Sequence, residues 1–162
     1  MAGEIVIVGA GPAGLACAAA LRVRGRKSTI LEATDHVAAS WHGHYDRLHL
    51  HTSKAHSALP GQPMPATFAR YPSRRQIIEY LENYAHTQGL QIRKHKRVTR
   101  IQRLGNWVIG TEDGGTIWCS RCHCRDWFIP QASHSRLGDG DVVRWNDHTF
   151  LGLPQCDGAK HA

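Results

Sequence analysis

No stretch of the 162-residue sequence comes near the ~18 consecutive apolar residues a membrane-crossing helix needs, which excludes a helical membrane span. The opening Met1-Ala2-Gly3-Glu4 lacks the positively charged lead-in of a secretory signal, and the apolar run after it is only strand length. A cytoplasmic protein is therefore expected. Cysteine is scarce and uneven: Cys17 stands alone, then Cys119, Cys122, Cys124 and Cys156 follow late in the chain. An odd count in a cytosolic chain argues against a disulfide framework. Aromatic residues make up only 7% of the sequence, and few of them interleave its densest basic run, Arg93, Lys94, Lys96, Arg97, Arg100 and Arg103. Without aromatics to stack bases, that run reads as the solvated face of a sheet, and no nucleic-acid partner is expected.

What is present is a core-forming chain, 41% hydrophobic, long enough for one domain or for one domain plus a tail. Its net charge of +7 lies in residues 1–117, with 15 Lys/Arg against 8 Asp/Glu; residues 118–162 hold five of each.

The first thirty residues carry the clearest pattern. Glu4-Ile5-Val6-Ile7-Val8 is a buried-strand run, followed by Gly9-Ala10-Gly11-Pro12-Ala13-Gly14 and an alanine-rich helix over residues 15–24. Gly25 ends the helix, and Ser28-Thr29-Ile30-Leu31 is a second strand closing on Glu32. Strand, glycine turn, helix, strand and acid make a complete βαβ dinucleotide unit. Gly9 permits the tight turn, Gly11 admits a pyrophosphate close to the backbone, and Gly14 lets the helix sit against the sheet. The N–H groups at the helix start then face the phosphates. Glu32, 18 residues past Gly14, can accept ribose hydroxyls and disfavours a 2′-phosphate, so the ligand of this unit is FAD or NAD and not NADP.

Residues 35–72 read as loop, broken by Pro60, Pro63, Pro65 and Pro72. Ser73 and Gln76 form a capping box opening a helix with Ile77, Ile78, Leu81 and Tyr84 on one face, stopped by Gly89. Strands are predicted over residues 90–93, 97–102 and 107–111, and Asp113-Gly114-Gly115 turns the last into a hairpin with Thr116-Ile117.

Pro12 within Gly-Ala-Gly-Pro-Ala-Gly-Leu-Ala resembles the FAD-binding unit of two-dinucleotide flavoproteins. Ser40-Trp41, then Tyr45-Asp46-Arg47-Leu48-His49-Leu50-His51-Thr52-Ser53-Lys54, then Leu59-Pro60, Pro65, Phe68, Tyr71-Pro72-Ser73-Arg74 and the helix after it, resemble the flavin-containing monooxygenases. The bacterial and plant YUCCA-like branch is the most similar. The resemblance covers residues 4 to about 117. It implies a Rossmann-like α/β FAD-binding domain over residues 1–117, FAD as cofactor, NADPH as co-substrate and a small-molecule substrate. The implied FAD-binding residues are Gly9, Gly11, Pro12, Ala13, Gly14 and Glu32. Ser40, Trp41, Leu48 and His51 would lie along the flavin, with His51 where relatives often carry asparagine, and Val98 at the adenine. An ordinary exposed strand is the competing reading of His49 and His51. No catalytic residue is assigned.

Past residue 117 the resemblance stops. The family continues with a strand ending in Ala-Thr-Gly; here stands Trp118-Cys119-Ser120-Arg121-Cys122-His123-Cys124. Cys119, Cys122 and Cys124, with His123 and His134 nearby, invite a zinc reading, but Cys156 is the only distant thiol to pair with them. Reading each possible codon from its second base offers a different account. Residues 121–127 can then become Ala-Val-Ile-Ala-Ala-Thr-Gly, the absent strand, and residues 143–153 can become the Phe-x-Gly-x-x-x-His-Ser-x-x-Tyr fingerprint of the monooxygenases. Two motifs, in order and in one register, predict a frame slip near residues 116–118 and a non-native, disordered tail over 118–162. No second Gly-x-Gly-x-x-Gly unit is present, so the NADPH half is expected to be missing and the chain to be a truncated, inactive fragment. A stand-alone FAD- or NAD-binding module without catalytic role, and a small zinc protein, are the alternatives.

Overall fold

The computed structural model describes residues 5–124 and 142–144. Strand β1 (Ile5–Val8) leads through the glycine turn into helix α1 (Pro12–Val23) and strand β2 (Ser28–Leu31), the predicted βαβ unit. The helix starts three residues earlier than the alanine-rich run suggests, because Pro12 takes its first position, where a missing N–H costs nothing and φ is already helical. Two one-turn helices, α2 (Ala39–His42) and α3 (Lys54–Ser57), punctuate the proline-rich segment. Helix α4 (Arg74–Thr87) opens on the predicted capping box, with Ser73 and Gln76 satisfying each other's backbone N–H groups.

Strands β3 (Gln91–Arg93), β4 (Val98–Leu104), β5 (Asn106–Thr111) and β6 (Thr116–Cys119) follow, then β7 (Arg121–Cys124) and β8 (Val142–Arg144). They form two four-stranded sheets, β3-β2-β1-β7 and β6-β5-β4-β8. The first is parallel throughout, as a dinucleotide fold requires, and the second antiparallel.

The sheet does not stop at residue 117. β6 crosses that boundary with Cys119 buried in the second core cluster, and β7 pairs with β1 from Ile5↔Arg121 to Val8↔Cys124. The expectation of an unstructured tail therefore fails for residues 118–124: the open flank of β1 offers a row of backbone partners, and pairing there outweighs the poor strand chemistry of the side chains. The rest of the tail, β8 apart, lies outside the described residues.

One core packs α1 and α4 on the parallel sheet through Ile7, Leu15, Ile30, Ile77, Leu81 and Tyr84. Along α4, Tyr80 and Tyr84 staple the loop above: Tyr80 Oη accepts from Leu59 N at 2.7 Å and donates to Gln62 O at 2.6 Å, and Tyr84 Oη donates to Pro60 O at 2.8 Å. Burial pushes both phenols above their usual pKa. A second cluster, with Val6, Leu31, Val98, Ile101 and Ile109, joins the two sheets.

At the β5–β6 turn Asp113 accepts hydrogen bonds from the Lys96 ammonium, from Thr111 Oγ1 and from Gly115 N. These donors, Lys96 foremost, lower its pKa from 3.8 to about 2. Because the folded value is the depressed one, the stabilisation is present above the unfolded pKa and lost as pH falls through about 2. Lys96→Met should move the Asp113 titration, followed by NMR, back toward 3.8. An unmoved midpoint would remove Lys96 as the main cause.

Candidate functional site

The glycine turn is built as its sequence implies. Gly9 has φ +94°, a conformation that L side chains rarely adopt, and its N–H donates to Leu31 O at 2.8 Å, bending the chain across the end of β2. At Gly14 a Cβ would lie 2.0 Å from Gly9 O, so only a hydrogen lets α1 approach the turn. Gly11, which caps α1, differs: a Cβ there would meet nothing within 4 Å. That space lies before the first turn of α1, whose unpaired N–H groups and positive dipole end suit an anion. Pro12 is half-buried and Ala13 exposed beside it.

Glu32 closes the unit. It is 6% exposed and follows directly on β2. Its Oε2 accepts from Ala10 N at 2.7 Å; its Oε1 accepts from Thr34 N at 3.0 Å and Thr34 Oγ1 at 3.1 Å. Three of the roughly four lone-pair sites of a carboxylate are thus engaged within the protein. Glu32 therefore does more than the sequence suggests, holding the glycine turn through Ala10 as well as presenting a carboxylate at the strand end. Neither Ala10 nor Thr34 stands out in the sequence, although a threonine two residues after a strand-end acid is well placed to bond it.

From this turn the chain passes to the other predicted residues. Ala38 N donates to Ala10 O at 3.0 Å, so α2, with Ser40 exposed and Trp41 half-buried, is tied to the glycine loop. Ala38 itself is fully buried with φ +60°, an uncommon state for alanine that its tertiary contacts impose. Residues 48–50 run beside 72–74: Leu50 N donates to Pro72 O at 2.9 Å, Arg74 N to Leu48 O at 2.7 Å, and His49 bridges Ser73. His49, Leu50 and His51 then line a cavity of about 620 Å³ with Ala69, Arg70 and Tyr71. Lys54 props the segment before that wall, its Nζ donating to Ala66 O and Phe68 O, each at 2.6 Å.

Leu48 is half-buried and His51 exposed at the cavity. Val98 is 8% exposed and packs with Val6 and Leu31 below the end of β2, which leaves only a small edge for a ligand. Cys119 sits opposite Trp107 in one sheet and Cys122 opposite Val6 in the other. Among the described residues no group of three or more His, Cys, Asp or Glu is placed to hold a metal ion, and the zinc alternative is not favoured. No described helix is long and apolar enough to cross a membrane.

Fold and turn together define a dinucleotide-binding α/β domain. Residues 6–121 match the family described as pyridine nucleotide-disulphide oxidoreductase, and the chain belongs to that family. Among curated proteins it is similar to the indole-3-pyruvate monooxygenase YUCCA6 of Arabidopsis thaliana, 42% identical over 122 residues, covering 72% of this chain and 29% of that protein. The indole-3-pyruvate monooxygenase YUCCA1 of Oryza sativa subsp. japonica is 42% identical over 120 residues, with the same coverage. Of solved structures, a flavin-containing monooxygenase from Stenotrophomonas maltophilia superimposes with a TM-score of 0.70 at 28% identity, covering 76% of this chain and 38% of that one. The chain thus spans under a third of the length of these curated relatives.

Proposed function

We propose that this chain is the FAD-binding front part of an NADPH-dependent flavoprotein monooxygenase acting on a small molecule. The observation that carries the reading is Gly11, whose missing side chain leaves open space at the start of α1, between a turn fixed by Gly9 and a carboxylate held at the end of β2. The residues suit FAD. The turn and helix start would bind the pyrophosphate, Glu32 would accept from the ribose with its remaining capacity, and Ser40, Trp41, Leu48 and His51 would flank the flavin. The similar solved structure, a flavin-containing monooxygenase by name, favours FAD over NAD. When bound, the flavin supplies oxygen activation after reduction by NADPH; the protein orients it and restricts water.

The 162 residues taken alone are proposed to be catalytically silent. Its sequence holds one glycine motif and no second unit with basic residues for a 2′-phosphate. Mixed with FAD and NADPH, the chain should oxidise NADPH no faster than free flavin does, with no oxygenated product. Sustained NADPH loss coupled to such a product would overturn the reading of half an enzyme.

The same reading extends to the tail. Parallel strands flanked on both faces are normally apolar, yet the one beside β1 reads Arg121-Cys122-His123-Cys124. The shifted frame can give Ala-Val-Ile-Ala at those four positions, a fitting partner for Ile5-Val6-Ile7-Val8. Residues 118–162 are accordingly read as out of frame, with β7 formed by whatever sequence lies next to β1. Coding DNA with no open continuation in the shifted frame would contradict this.

A further inference from the structure

Arg74 stands at the first position of α4, where the helix dipole favours an acid and the first turn contains none. Its side chain does not point to water: it is 19% exposed, against 95% for its partner Asp46. The guanidinium spans three acceptors. Nε donates to Trp41 O at 2.7 Å, Nη2 to His42 O at 2.5 Å and Nη1 to Asp46 Oδ1 at 2.8 Å. Trp41 and His42 are the last residues of α2; Trp41 O also accepts from Gly43 N and, at 3.3 Å, from His44 N, so the guanidinium adds to the capping of that helix end. The backbone N–H of Arg74 meanwhile holds Leu48 O. One residue therefore fastens α2, which is tied to the glycine turn through Ala38, and the stretch that runs into the His49–His51 cavity wall.

We propose that Arg74 is a positioning residue for the flavin half of the cofactor, setting Trp41 and the segment around Leu48 and His51 against the glycine turn. This rests on the FAD reading above. The glycine turn and Glu32, which would hold the adenosine diphosphate half, make no hydrogen bond to Arg74. The two halves of the ligand should therefore respond separately. A planar fork is needed to reach three acceptors at once, so lysine is only a partial substitute.

The test titrates the full chain with FAD and, separately, with ADP. In Arg74→Met, FAD affinity should fall about tenfold or more, since charge-assisted bonds that fix the flavin wall are lost. The visible circular dichroism of the bound flavin should shrink, while ADP affinity stays as in the parent chain. Arg74→Lys should restore part of the flavin signal. Should Arg74→Met fail to fold, Arg74→Lys carries the test: intact ADP binding with weakened FAD binding supports the proposal. Equal FAD affinity and an unchanged flavin spectrum in both variants overturn it, as does parallel loss of ADP and FAD in Arg74→Lys. A parent chain that binds ADP but not FAD would instead overturn the FAD reading together with this one.

Discussion

Gly11→Val should leave the chain folded and abolish FAD binding. Gly11 has φ −79° and ψ 178°, ordinary extended backbone that valine prefers. Its Cβ would stand in open space with no protein atom within 4 Å, so the melting temperature should hardly change. On the proposed FAD reading, that same space is where the pyrophosphate would come close to the backbone N–H groups at the start of α1. Branched methyl groups there exclude the phosphates and cover the donors, and losing several charge-assisted bonds corresponds to a weakening of about 100-fold or more. A flavin titration paired with a thermal melt checks both halves. Undiminished FAD affinity in the variant would sink the assignment of the turn, and a collapsed fold would show that Gly11 is structural.

Gly14→Ala should do the opposite. One methyl group placed 2.0 Å from Gly9 O and 3.5 Å from Ile7 Cγ2 cannot be absorbed by a flexible side chain, because the nearest atom is backbone. Helix α1 must move off the turn, which disturbs its packing on β1 and β2 together. Overpacking of this kind costs about 3 kcal/mol or more, a large share of a domain's 5–15 kcal/mol. The melting temperature should fall by on the order of 10 °C. A melt matching the parent chain would mean that the close approach of helix and turn is not what the glycine serves.

These two glycines show how much of the site was legible in the sequence. The βαβ unit, the capping box at Ser73 and the β5–β6 turn at Asp113 are local patterns, and the structure forms each of them. What escaped is set by tertiary contact. Ala38 adopts a left-handed backbone that nothing in Val37-Ala38-Ala39 announces, because Ala10 O draws its N–H. The second partner of the Glu32 carboxylate, the Ala10 N–H, belongs to every residue type but proline and so leaves no trace in sequence. Strand β7 was missed because its side chains argue against a buried parallel strand, while the flank of β1 draws it in. Arg74 did leave a signal, a cation at a helix start, although its part in the resemblance motif obscured it.

The most direct measurement of the central claim is the amount of FAD held per chain. The purified chain is incubated with excess FAD, passed through a desalting column, and read for the flavin's visible absorbance against protein concentration. One FAD per chain, lost in Gly11→Val while the variant still melts like the parent, is the predicted result. A folded parent chain that emerges with no flavin, or a Gly11→Val chain that emerges with as much as the parent, would contradict it.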